Sequence, residues 1–273
     1  MGGILRPFFA PPAKHLIRLA RDRHYRAWRD LERRLGSVPR RTPRSVRTLG
    51  MDLLVPDAAS FLEVFREVFV ERSMTFPSWG APPRILDLGA NLGLTVLYFL
   101  REHPDARITA LEPDPDLFRV LERNVRQNGG QGVTLQRQAA WSTSGPLRFQ
   151  PDGADGGRVL AGSAAPGAVE VEAVDVAALF DRGPYDVIKM DIEGAERVVL
   201  PALGDRLRSV RYLFMEVHAG RGDRAPLASL IAPIEAAGLE VEIQTVRCPA
   251  HPFHDSPSGE DFSLLLHVYG IRR

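Results

Sequence analysis

Residues 189 to 196 read KMDIEGAE, and with the preceding PYDVI they predict a strand over 186–192 that carries Lys189, Asp191 and Glu193 at every second position. Alternate positions of a strand share a face, so an ammonium and two carboxylates come side by side where an apolar strand ends. Such a group can exchange protons or hold a cation. Lysine is unusual in this chain: of 35 basic residues, only Lys14 and Lys189 are not arginine. A compact ammonium fits a confined space that a guanidinium fork does not. Further on, LFMEVHAG puts Glu216 and His218 on one face of another strand. His251, His254 and Asp255 in CPAHPFHDSPSGED look like a ligand cluster but read as a solvated loop.

A second constellation lies upstream. DLGANLG, residues 87–93, falls where a strand gives way to a helix, and ALEPD puts Glu112 at the end of the next strand. In open α/β sheets ligands collect beyond the carboxyl ends of the strands, and a carboxylate there can accept both hydroxyls of a ribose. Glycine in the turn lets a ligand approach the backbone. Dinucleotide dehydrogenases use G-x-G-x-x-G, whereas here Asn91 and Leu94 stand at the second and third glycine positions. The pattern therefore points to a nucleotide-like cofactor other than NAD.

The elements that must hold these residues alternate. Strands are predicted at 84–88, 107–111, 133–138, 187–191 and 212–217, with helices over 92–101 and from Asp114 or Asp116 to Gly129. Strand–helix alternation argues for a parallel sheet covered by helices on both faces. The runs 239–246 and 262–269 leave no room for a helix between them and should pair antiparallel. PDGADGGRVLAGSAAPGA, 151–168, reads as a flexible loop. Before the sheet, 49–55 is strand-like, and Ser60 with Glu63 forms a capping box ahead of Phe61, Phe65 and Phe69.

Composition bounds the class. The 273 residues are 44% hydrophobic and 25% charged, with a single cysteine, Cys248. That suits one main α/β domain without disulfides. The start has no signal-peptide order of regions and no long apolar run, so the expected location is cytoplasmic with no membrane span. Net charge is +1, yet residues 14–47 hold twelve Lys or Arg against three acids. A basic arm of this kind could touch nucleic acid, anionic lipid or an acidic partner domain, but Tyr25, Trp28, Leu31 and Leu35 give it the inward stripe of an ordinary helix.

DLGANLG, ALEPDPDLFRVLERNV, AAWS and DVIKMDIEGAE resemble, in order and spacing, the FkbM family of S-adenosylmethionine-dependent methyltransferases, from about Met51 to His218. The resemblance implies a Rossmann-like seven-stranded methyltransferase sheet over residues 81–273, mostly parallel with an antiparallel C-terminal hairpin strand, behind a basic helical N-terminal extension over 1–80. It implies S-adenosylmethionine as cofactor and a hydroxyl of a sugar, glycan or secondary metabolite as acceptor. Nucleic acid is the alternative acceptor, and a homodimer stays open. Asp87, Gly89, Ala90, Asn91 and Gly93 would surround the methionine part, Glu112 and Pro113 the ribose, and Ala140, in the loop after the third strand, with the neighbouring Gln138 and Ala139, the adenine.

On that reading Asp191 faces the methyl site or the cofactor's ammonium, Glu193 reaches the acceptor hydroxyl, and Lys189 neutralises the acids. His218 is then the general base. Asp191, Glu216 and His218 are the alternative set, as ligands of a divalent ion that acidifies the hydroxyl.

Overall fold

The computed structural model describes residues 12–152, 156–160, 166–219, 227–248 and 264–273. The chain divides into two compact units, Met1–Ser73 and Met74–Arg273.

In the first unit, α1 (Pro12–Arg21) and α2 (Arg23–Leu35) are separated by Asp22, whose side chain caps α2 by accepting from the His24 and Tyr25 N–H groups. Leu31 and Leu35 are buried along α2, together with His24. Strands β1 (Arg44–Thr48) and β2 (Met51–Val55) form an antiparallel hairpin. Leu49 and Gly50, at φ of 47° and 76°, are its two-residue turn, because right-handed strand twist favours a turn with both φ positive. The strand predicted from residue 49 therefore starts two residues later. Helix α3 (Ala58–Phe65) is capped by Asp57, which accepts from Ser60 N–H at 3.0 Å, so the capping box predicted at Ser60 is displaced by one turn. Arg40 Nε and Arg41 N–H hold the other Asp57 oxygen at 2.9 and 2.6 Å and fix the carboxylate for that task.

The second unit is built on a seven-stranded sheet in the order β12-β13-β11-β10-β3-β4-β5. Its members are β3 (Arg84–Leu88), β4 (Arg107–Leu111), β5 (Thr134–Gln136), β10 (Val187–Met190), β11 (Tyr212–Ala219), β12 (Glu240–Arg247) and β13 (Leu264–Ile271). The five strands β3, β4, β5, β10 and β11 run parallel, and β13 is antiparallel to both β11 and β12. Helices α4 (Leu94–Glu102), α5 (Pro115–Gln127), α6 (Glu196–Leu203) and α7 (Leu227–Ala236) complete the unit. Val187 to Met190 are buried without interruption, as expected of a central strand covered on both faces.

The strand predicted over 133–138 is split. After β5 the chain bends at Arg137 and Gln138 and enters β6 (Ala139–Trp141), which belongs to a second sheet with β7 (Gly145–Gln150), β8 (Arg158–Val159) and β9 (Val169–Asp175), ordered β6-β9-β7-β8. Ala139 and Ala140 thus lie in a buried strand rather than a loop. The stretch read as a flexible loop contributes β8, paired with β7, while 153–155 and 161–165 lie outside the described residues. Among the described residues no helix is long and apolar enough to cross a membrane.

Candidate active site

The chemistry-bearing residues meet where β3, β4, β10 and β11 end. Gly89, Asn91 and Gly93 all have positive φ, at 80°, 49° and 94°. A Cβ on Gly89 would lie 1.8 Å from the Asp191 carbonyl oxygen, and one on Gly93 would lie 2.9 Å from Leu121 Cδ1 of α5. These glycines therefore allow the turn to curl against the end of β10 and against α5, a packing role that the sequence reading did not foresee. Glu112 holds the same turn. Its two oxygens accept from Asn91 N–H and Asp114 N–H, each at 2.9 Å. Burial pushes its carboxyl up to about 7 against the pull of those two bonds. Pro113 is half-buried between Glu112 and Asp114, and Ala90 is buried in the turn. Asn124 of α5 adds a support that sequence reasoning missed, donating from Nδ2 to the Leu92 carbonyl at 3.0 Å.

Below the turn sits an ion pair. Lys189 and Asp87 face each other in register on adjacent parallel strands, with Nζ 3.5 Å from Asp87 Oδ1 and side chains only 3% and 0% exposed. Thr95 at the start of α4 donates its hydroxyl to the other Asp87 oxygen. Lys189 Nζ also donates to the Gly89 carbonyl at 2.5 Å and lies 3.4 Å from Asp191 Oδ2. Burial opposes the ammonium, but Asp191 and Asp87 outweigh it and hold Lys189 above the ordinary lysine value. Asp87, expected around the methionine part, thus acts on the turn from beneath, and Lys189 ties the turn to the end of β10.

Beyond Met190 the strand pattern breaks. Glu193 and Gly194 adopt φ of 53° and 94°, so Glu193 does not continue the alternation that put it on the Lys189 face. A left-handed glutamate is strained backbone of the kind found at functional sites. Glu196, in the first turn of α6, accepts from Ile192 N–H at 3.1 Å and closes the turn. Glu193 is brought instead to His218 of β11, with Oε2 at 3.3 Å from Nε2. Glu216 Oε1 is 3.2 Å from that same nitrogen, and Glu196 Oε1 lies 3.7 Å from Nδ1. His267 of β13, opposite Glu216 in register, binds the other Glu216 oxygen at 2.8 Å.

Three carboxylates around one buried ring decide its charge. Burial works against protonation, yet Glu196, Glu216 and Glu193 together push His218 up to about 11, so it is an imidazolium at neutral pH. This corrects the sequence expectation of a histidine base poised near neutrality. Burial likewise raises Glu193, to about 8 despite the attraction of His218, whereas His218 and His267 overcome burial and lower Glu216 to about 2. Asp191 is raised by desolvation and by Glu216, with Lys189 opposing. Its side chain is 34% exposed, so solvent tempers that shift. Glu112 and Glu193 are both raised toward neutral pH, and of the two Glu193 is the one that faces His218.

The profile of the methyltransferase FkbM domain matches residues 87–242, which include the Gly89 turn, the β10 end and the β11 pair. The chain belongs to the FkbM methyltransferase family. Methyltransferase sdnD of Sordaria araneosa is 28% identical over 205 residues, covering 62% of this chain and 79% of the relative. Hexuronic acid methyltransferase AglP of Haloferax volcanii is 30% identical over 139 residues, 49% of this chain and 55% of that protein. Among solved structures, the SAM-dependent methyltransferase from Agrobacterium tumefaciens shares the fold, with a TM-score of 0.50 at 13% identity over 86% of this chain and 72% of that one.

This FkbM protein is an S-adenosylmethionine-dependent methyltransferase, and its residues fit a sulfonium cofactor that also carries an ammonium. Asp191, Glu193, Glu216 and Glu112 set four carboxyl groups around the ends of β4, β10 and β11, and the Asp191 side chain, 34% exposed, is open to a cationic group.

Proposed function

We propose that the protein transfers a methyl group to a hydroxyl of a saccharide or natural-product small molecule. The observation that carries this reading is the Glu193–His218 contact at 3.3 Å, at the end of a turn strained to bring it about. An aliphatic hydroxyl is a weak nucleophile until a positioned group accepts its proton, and a carboxylate held near the working pH is suited to that task. Glu193 takes the proton from the acceptor hydroxyl, and His218, fixed as a cation by Glu216 and Glu196, orients Glu193 and stabilises its ionised form. S-adenosylmethionine, when bound, supplies the electrophilic methyl group. On this reading Glu112 and Pro113 border the ribose, Gln138, Ala139 and Ala140 the adenine, and Asp191 the cofactor's cationic end. Gly89, Ala90, Asn91 and Gly93 shape the turn beside the methionine part. Lys189 and Asp87 position that turn without touching the reacting atoms. The name of AglP supports a sugar-acid acceptor.

The test is transfer of labelled methyl from S-adenosylmethionine to uronic acids, neutral sugars and hydroxylated natural products, with the products identified by mass spectrometry. Label on oxygen of one such acceptor is expected. Label confined to nitrogen, carbon or RNA overturns the reading.

One observation favours a second reading. Asp191, Glu193 and His218 each offer a donor atom within 4.8 Å of the others, the geometry of a cation site. The sequence trio had Glu216 in place of Glu193. A divalent ion there would acidify the acceptor hydroxyl, but His218 must first lose its proton to become a ligand. Chelation separates the two.

A further inference from the structure

We infer that α1 is a docking element for an anionic membrane surface. Leu16 and Ile17 are 63% and 55% exposed, the most exposed large hydrophobic side chains among the described residues. With exposed Ala20 they form a stripe at i, i+1 and i+4 along one side of the helix. The stripe is not the side that α1 gives to α2. That contact is made by His15, whose Nδ1 lies 2.8 Å from the Tyr25 hydroxyl, and by Arg26, which donates to the Leu19 and Ala20 carbonyls at 2.9 Å. The helix is therefore seated on its neighbour while the apolar stripe is left outward.

Exposed Arg18 and Arg21 flank the stripe. Arg18 is fixed over the Tyr25 ring, 4.3 Å from its centroid, and 3.7 Å from Asp22, whereas Arg21 has no partner among the described residues. An apolar stripe bordered by arginines matches a surface of acyl chains beneath anionic headgroups.

Charge decides between occupants. Residues 1–73 hold fifteen Lys or Arg against eight Asp or Glu, a surplus of seven, so a second copy of this chain would set two positive surfaces against each other. Nucleic acid would meet the arginines but gain nothing from Leu16 and Ile17, whose aliphatic side chains offer no stacking surface. A lipid surface uses both. The proposal concerns α1 alone and does not depend on the methyl acceptor.

The test is sedimentation of the full chain with phosphatidylcholine vesicles, with and without phosphatidylglycerol. Binding is expected only with phosphatidylglycerol, and should weaken as salt rises. Leu16→Ser with Ile17→Ser should weaken binding about tenfold or more through lost apolar contact, and Arg21→Glu about tenfold through reversed charge. Both variants should keep the wild-type circular dichroism and bind S-adenosylmethionine as before; Arg21→Glu, a surface change, keeps the test decisive if the double variant misfolds. Absence of binding to phosphatidylglycerol vesicles, or equal binding by both variants, overturns the proposal. So does a dimer, seen by light scattering, or RNA binding that the double substitution abolishes.

Discussion

At the scale of residues, the pair beneath the turn is the most constrained feature. Asp87 and Lys189 lie at 0% and 3% side-chain exposure, and Lys189 is the ammonium that compensates the Asp87 charge while sharing its own between Asp87 and Asp191. Removing one partner of a buried pair leaves an uncompensated charge, a loss of roughly 3–5 kcal/mol. Lys189→Met and Asp87→Asn should each lower stability by about that amount in chemical denaturation, and the double variant by less than the sum. The cofactor assignment makes a different demand. Glu112→Ala should weaken S-adenosylmethionine binding by roughly 1.5–3 kcal/mol in calorimetry on the folded variant, the range for a hydrogen bond to a charged group. Unchanged affinity would remove Glu112 from the ribose site.

At the scale of elements, the turn after β3 and the turn after β10 are one construction, since the backbone of the first touches the backbone of the second. Gly89→Ala would drive a methyl to 1.8 Å from the Asp191 carbonyl. That cannot be relieved by a side-chain shift, so cofactor binding should be lost and thermal stability should fall sharply. Gly129→Ala is the control. Its φ is +95° but nothing lies within 4 Å, so thermal unfolding should show only the conformational loss of about 1–2 kcal/mol. The two glycines look alike in sequence. What was legible there follows the same division. Strands β3 and β4 were read to the residue, because a buried strand between breakers leaves little choice. The split after Gln136 was not, because Arg137 and Gln138 carry no turn signature and the second sheet is built from pairings distant in the chain. Strand spacing put Lys189 beside Asp191 and Glu216 beside His218, whereas the alternation used for Glu193 stops before it. Their charge states were not legible, because the charge of His218 depends on Glu196 across a turn and on Glu216, which is itself held by His267 on a strand paired only in the fold. Left-handed Glu193 was hidden for the same reason, since alternation foretells a face only while the strand continues. His251, His254 and Asp255 lie outside the described residues.

At the scale of the whole molecule, the ionisations set opposite limits on stability. Glu216 is lowered to about 2, so its contribution is present above about 4.5 and lost as pH falls towards 2. His218 is raised to about 11, so its contribution is complete below about 6.5 and lost as pH rises towards 11. Glu112 and Glu193 are raised to about 7 and 8, and each disfavours the folded state progressively as pH climbs from about 4.5 through those values. The melting temperature should therefore peak well on the acid side of neutrality, at about pH 4.5, and fall by pH 8.5, and Glu112→Gln should flatten the fall. A maximum above pH 8 would contradict these environments. Catalysis draws on the same group, because the account rests on a carboxylate, not a metal, receiving the acceptor's proton. The direct measurement is the pH dependence of kcat/KM for methyl transfer after exhaustive EDTA treatment, for the wild type and Glu193→Gln. Activity should survive chelation and rise through an ionisation near 8 that Glu193→Gln abolishes. Activity lost to EDTA and restored by magnesium, manganese or calcium would contradict the account and make Asp191, Glu193 and His218 metal ligands.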